Sequence, residues 1–456
     1  GQIQDEVYVY GSFLQSKMHA AGVTCSDCHD PHSTELRVQG NALCGQCHLA
    51  SSYDLTEHHQ HQRETSGSFC VDCHMPATTY MVVDPRRDHS FRVPRPDLSA
   101  SLSTPNACNG CHEEESTEWA VAAVTDWYPD GRQQTFHYGQ ALHAGRTWAA
   151  DRSVLLSALA TDSAMPAIVR ATAVSLLGQQ IDDVALNAID QALQDDEPLL
   201  QLAALDALEG VPPELRIQPV QRFLTHSLRA LRMTAARVLL PARAELSERR
   251  AADLDTALAE YRDAQLFNGD RAEGRFNWGS TLVQLGRLEE AEAQFRDAID
   301  RAPVFTAAYV NLADLYRLSG DEETARALLE QAIANNPQDP SAHFALGLSL
   351  VRADAPDDAF AELELAAEVA PNSPYYQYVI GIALNSSGER DRALETLTQV
   401  HDRFPGHRDT LLALATIHRD GGEMGQAALY ANRLLTLSPA DSAAQSILDE
   451  VTGATP

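Results

Sequence analysis

Gly286-Arg287-Leu288-Glu289-Glu290-Ala291-Glu292-Ala293-Gln294-Phe295 sets the architecture of the C-terminal part of this 456-residue chain, because its punctuation returns every 34 residues. Ala291, Ala325, Ala359, Ala393 and Ala427 keep that spacing, and so do Pro303, Pro337, Pro371, Pro405 and Pro439. Gly286, Gly320, Gly388 and Gly422 follow it too, with Asp354 in the remaining slot. Small residues recur in the same way at Gly279, Ala313, Gly347, Gly381 and Ala415. Small side chains let two antiparallel helices approach, glycine ends the first helix and proline ends the second. One such pair cannot cover its own apolar face, so the pairs must stack into a solenoid.

A 34-residue helix-turn-helix period is that of the tetratricopeptide repeat (TPR). Five repeats cover about 270–439, Ala257 and Tyr261 suggest a degenerate sixth, and 440–456 reads as a capping helix and tail. Upstream, Arg170, Gln201 and Arg232 are 31 residues apart, in step with Ala173, Ala204 and Ala235 and with Leu177, Leu208 and Leu239. Small residues where helices cross, with leucine one turn later, resemble HEAT-like repeats; an irregular helical bundle is the alternative. The expected fold is therefore mostly α, in three parts: 1–112, 113–250 with the HEAT-like register, and 251–456 with the TPR array. Helix is expected from Glu113 onward, with acidic residues in its first turn. Pro76, Pro85, Pro94, Pro96 and Pro105 should confine 75–106 to extended or turn conformations.

All the cysteines fall in the N-terminal part, in four copies of one pattern. They are Cys25-Ser26-Asp27-Cys28-His29, Cys44-Gly45-Gln46-Cys47-His48, Cys70-Val71-Asp72-Cys73-His74 and Cys108-Asn109-Gly110-Cys111-His112. C-x-x-C-H is the attachment site of c-type haem. Two thiols one turn apart can each add to a vinyl group of one porphyrin, and the next residue is then placed to bind the iron. Paired zinc sites or a redox dithiol would need the cysteines but not the histidine. With 17 His in 456 residues, chance puts one there about 4% of the time, and here all four motifs have it. Four covalent haem c groups are expected.

Four irons with two imidazoles each need eight histidines, and residues 1–112 contain ten. His29, His48, His74 and His112 are proximal by motif. The candidates for the other face are His19, His32, His58, His61 and His89, with one or two of His58, His59 and His61 expected to reach iron. Pro31 turns His32 away from its own iron. His89 is read either as a distal ligand or as a surface histidine bonded to Asp88. Met18 and Met75 are the weaker axial candidates, and His137 and His143 are read as structural. With so few apolar runs between the motifs, porphyrins rather than side chains should form most of this core.

The formal charge of −30 disfavours nucleic acid as a partner. No apolar run reaches about 18 residues, so no membrane span is expected. Gly1-Gln2-Ile3-Gln4-Asp5-Glu6 lacks the basic start and apolar core of a secretion signal. Because covalent haem attachment takes place outside the cytoplasm, an extracytoplasmic location, periplasm or cell exterior, and a processed or truncated N-terminus are expected.

Several stretches around the motifs carry a family resemblance. They are Tyr10-Gly11-Ser12-Phe13-Leu14-Gln15-Ser16-Lys17-Met18, Gly22-Val23-Thr24-Cys25, Cys73-His74-Met75-Pro76, Asp84-Pro85-Arg86-Arg87-Asp88-His89-Ser90-Phe91 and Thr104-Pro105-Asn106-Ala107-Cys108. Here the chain resembles multihaem c-type cytochromes with C-terminal TPR arrays. The resemblance implies electron transfer with redox proteins as partners, a protein ligand on the TPR surface, and for some such cytochromes self-assembly into conducting filaments. The competing expectation is an oxidoreductase acting on a small nitrogen or sulfur compound, which needs one haem with an open sixth position.

Overall fold

A computed structural model describes residues 9–131 and 135–453. It divides into two compact units, Gly1–His143 with Leu159–Ala173 and Ala144–Ala158 with Val174–Pro456.

In the first unit, regular structure before the hairpin is, among the described residues, limited to short helical turns at Val9–Phe13, Lys17–Ala20, Cys25–Cys28, Asn41–Cys44, Ala50–Tyr53, Thr56–His59 and Cys70–His74. An antiparallel hairpin of Ala77–Tyr80 and Asp84–Arg87 follows, with Ala77 opposite Arg87. Between residues 9 and 112 the buried apolar side chains are Phe13, Tyr80, Pro96 and Leu98, while Leu49, Tyr53, Phe69 and Val93 are exposed. Side chains do not fill this segment.

Two local expectations are corrected here. Pro96–Leu102 is a helix, not extended chain, because Pro96 occupies its first turn, where a missing N–H costs nothing. The helix expected from Glu113 starts at Thr117, because Ser116 is the cap and accepts from Trp119 N at 3.2 Å. Glu113, Glu114 and Glu115 precede it, and Glu118 alone is acidic in its first turn.

Among its described residues the second unit has helices and no strand. Ala204 and Ala235, in step in the 31-residue register, are both fully buried on Pro198–Ala207 and Arg229–Leu239. After the long helix Glu248–Phe267, which buries Ala257 and Tyr261, five helix pairs run from Ala272–Gln284 with Leu288–Arg301 to Arg408–Asp420 with Met424–Leu437. Ser442–Thr452 caps the array. Gly286, Gly320, Gly388 and Gly422 end their first helices at φ 72–85°, and Asp354 takes the same left-handed slot at φ 58°. Close approach explains the small-residue slots. A Cβ on Gly279 would meet Phe295 at 2.7 Å, and one on Gly381 would meet Leu397 at 2.6 Å.

One contact within this unit joins residues far apart in sequence. Gly406 N donates to Trp148 O at 2.7 Å, and Gln180 clamps the same turn by donating to Gly406 O at 3.0 Å and accepting from Arg408 N at 2.9 Å. His407 is buried there, its ring edge-on to Trp148 at 5.2 Å and Tyr378 at 5.6 Å. Its Nδ1 lies 2.7 Å from Thr410 Oγ1.

Burial pushes the His407 pKa down to about 4, Arg152 adding to the effect and Asp409 opposing it. Unfolded histidine titrates near 6.5, so the unfolded chain binds more protons between those values. Stability from this group is complete above pH about 6.5 and is lost as pH falls toward 4, by about 3 kcal/mol at most. Urea unfolding at stepped pH should therefore show a steeper loss in the parent chain than in His407→Phe; equal slopes would refute the assignment.

Candidate haem-binding site

Each C-x-x-C-H motif is closed by a backbone bond that fixes its histidine one turn below the first thiol. His29 N donates to Cys25 O, His48 N to Cys44 O and His112 N to Cys108 O, all at 2.9 Å, and in the third motif the helix runs through to His74. The first turn also has a capping box, with Thr24 N donating to Asp27 at 2.7 Å.

Consecutive motifs are neighbours in space. The thiols of Cys44 and Cys70 lie close enough to interact, which raises the pKa of Cys44 and lowers that of Cys70. Burial raises Cys28, with Cys47 among the nearby charges, and pushes Cys73 up to about 11, with Cys108 and Cys111 adding to it. Asn41 ties the second motif to the third by accepting from Cys70 N and donating to Ser68 O, both at 2.9 Å.

Three of the four motif histidines face a second imidazole contributed from elsewhere in the chain. Ring centroids are 6.3 Å apart for His29 and His89, 6.3 Å for His58 and His74, and 6.1 Å for His61 and His112. The backbone sets the tautomer of most of these rings. His29 Nδ1 donates to Thr34 O at 2.8 Å, His74 Nδ1 to Arg92 O at 2.8 Å, His89 Nδ1 to Arg87 O at 2.9 Å and His61 Nδ1 to His59 O. A proton on Nδ1 leaves the Nε2 lone pair as the metal-binding atom. Burial, with His74 and His59 nearby, lowers the His58 pKa and so favours its neutral form.

The remaining candidates are placed differently. His48 packs edge-on against Tyr53 at 5.9 Å, with no second imidazole facing it among the described residues. His19 lies edge-on to Phe13 at 5.4 Å, and His32 is exposed in a turn where its N donates to Asp30 at 3.0 Å. His59 accepts from His61 N at 3.2 Å through Nδ1, and its buried Nε2 has no partner. Asp88 is engaged by Ser12 and Ser90, not by His89, which removes the reading of His89 as a surface partner of Asp88.

Several supporting residues were not singled out in the sequence. A Cβ on Gly67, whose φ is 87°, would lie 2.7 Å from His61 Nε2, so the bare glycine makes room for that ring. Arg92 is mostly buried, holds Gln15 at 2.5 Å and engages Tyr138 besides receiving the His74 bond. Burial lowers its pKa, against the opposing pull of Asp88.

These residues fit haem. Two metal–imidazole bonds of about 2 Å, plus the two ring radii, put ring centroids roughly 6 Å apart across one ion. Few apolar side chains are buried around them. Among the described residues, no three His, Cys, Asp or Glu side chains converge as a bare metal ion would require.

On the repeats, a groove of about 240 Å³ is lined mainly by first-helix residues of three successive pairs, including Val310, Phe344, Tyr375 and Tyr376, with Leu329 from a second helix and Asp314, Arg317 and Arg352 at polar positions. No helix among the described residues is long and apolar enough to cross a membrane.

The chain matches the doubled CXXCH motif family over residues 18–52 and the tetratricopeptide repeat families over 276–340, 316–381 and 378–442. Similar solved structures include YrrB, described as a TPR protein with an unusual peptide-binding site, at 22% identity over 41% of this chain and 96% of that one, TM-score 0.31. TTC0263, a thermophilic TPR protein of Thermus thermophilus, matches at 21% identity over 40% and 98%, TM-score 0.31. PilW, a type IV pilus biogenesis factor, matches at 18% over 47% and 98%, TM-score 0.37. The doubled motif is a covalent haem c site and the repeats are a protein-binding scaffold, so the chain has the make-up of a multihaem c-type cytochrome with tetratricopeptide repeats.

Proposed function

We propose that this chain is an extracytoplasmic tetrahaem electron carrier whose repeats dock it to a redox partner or to copies of itself, as in a filament. The observation that carries this reading is the set of three imidazole pairs at 6.1–6.3 Å, each joining a motif histidine to one outside any motif. In this reading His29 and His89 hold the first haem, His74 and His58 the third, and His112 and His61 the fourth. Each haem would supply a one-electron iron couple, and bis-imidazole ligation keeps its potential low. The proximity of the thiols of consecutive motifs supports a haem order that follows the sequence.

The second haem is where the competing reading enters. His48 faces Tyr53, and the distal ligand of that haem is His19, His32, His59 or a histidine of a neighbouring copy, unless that iron stays open as an oxidoreductase centre. Pyridine haemochrome assay should give four haems per chain, and the resting oxidised protein should be low-spin throughout. A stoichiometric high-spin signal that cyanide or nitrite abolishes would favour the oxidoreductase instead. Sedimentation at rising concentration tests assembly, and a persistent monomer with no high-spin haem would place the fourth distal ligand within the chain.

A further inference from the structure

We propose that Tyr128 is the positioning residue of His58, fixing the orientation and tautomer of that imidazole through one phenol oxygen; this rests on the reading that His58 and His74 flank the third haem. Tyr128 directly follows the helix Thr117–Trp127, well beyond the last C-x-x-C-H motif. Its ring lies 6.3 Å from that of His58 at 69°, and its Oη sits 3.2 Å from His58 Nδ1 while also donating to His58 O.

The phenol has one hydrogen. Since that hydrogen goes to the carbonyl, which can only accept, the contact to the ring must run from Nδ1–H to Oη. The proton therefore sits on Nδ1, and Nε2 keeps its lone pair for iron. The other paired rings whose Nδ1 partners are known, His29, His61, His74 and His89, reach backbone carbonyls, which no substitution removes. His58 alone among them depends on a side chain.

Two consequences are local. Accepting from Nδ1–H makes an imidazole a stronger donor to iron and favours the ferric state, so losing the phenol oxygen should raise the potential of the third haem. The bond to His58 O also anchors the turn Thr56–His59, which passes through Gln60 at φ 61° to His61. The fourth haem should therefore shift less, in the same experiment, and the first should not move.

The test uses the full-length holoprotein with Tyr128→Phe and, separately, His58→Ala, each followed by potentiometric titration with low-temperature EPR. His58→Ala should turn one haem high-spin; if it leaves every haem low-spin, the ligand reading itself falls. Tyr128→Phe should raise the potential of that same haem and alter its low-spin g-values, and a partial high-spin signal confined to it also supports the proposal. Unchanged potentials and g-values, alongside a high-spin haem in His58→Ala, overturn it. So does a shift spread evenly over all haems, which would mean general loosening.

Discussion

Replacing all eight cysteines by alanine should leave residues 9–112 without stable structure while the second unit stays folded. Phe13, Tyr80, Pro96 and Leu98 are the buried apolar side chains of that segment, at about 2–3 kcal/mol each at most. That is far short of what ordering about a hundred residues costs. The haems must supply the missing apolar volume, and thioether bonds hold them there. The helix pairs from Ala272 to Leu437 are held by stacking on one another and by the Gln180 and Trp148 contacts to the 404–408 turn, none of which involves a C-x-x-C-H motif. Limited trypsin digestion of the variant should cut rapidly after Arg37, Arg63 and Arg86 and leave a resistant fragment containing 174–453. Far-UV circular dichroism should stay strongly helical. Resistance of the N-terminal sites in the haem-free variant would show that side chains alone order this region.

Gly406→Ala is expected to be the most damaging single substitution in the second unit. The added Cβ would meet Trp148 O at 2.7 Å and Ala149 O more closely still, and both are backbone atoms that cannot rotate aside. Relief requires the 404–408 turn to back away, which removes the Gly406 bond to Trp148, loosens the Gln180 clamp and uncovers His407. Overpacking of this kind typically costs about 1–3 kcal/mol. Lost hydrogen bonds add about 1 kcal/mol each. The variant should show a lower Tm, and NMR titration should find the His407 pKa moved from about 4 toward its ordinary value. A His407 that still titrates near 4 would show that the turn stays docked and the strain is absorbed elsewhere.

The parts legible in the sequence were those written as local repetition. The C-x-x-C-H pattern and the 34-residue period each restate one local geometry several times, so a single chain carries its own alignment. Pairing across space is not written that way. His58 and His61 are three residues apart yet face His74 and His112, because Gln60 reverses the chain between them. Nothing in the residue types distinguishes them. Asp88 looked like a partner for the adjacent His89, but the backbone turns it toward Ser12, which is distant in sequence. Gly67 and Tyr128 went unnoticed because one is a lone glycine in a loop and the other lies outside the haem segment. Gly406 was hidden by its setting, since glycine after the repeat proline looks like ordinary loop chemistry.

The Gln180 clamp alters how the helical array must assemble. An open stack of repeats is held only by adjacent contacts, can begin to form anywhere along its length and loosens from its ends. Gln180 and Gly406 are 226 residues apart in sequence, so their contact is costly in chain entropy until everything between them is already ordered. It should be the last step on the folding pathway, and once made it ties the closing repeat to the opening helices. Unwinding from the C-terminal side then has to stop short of the Arg408–Asp420 helix unless the whole unit opens together. A nearest-neighbour array thereby gains cooperativity from the few contacts that Gln180 and Trp148 make with the 404–408 turn.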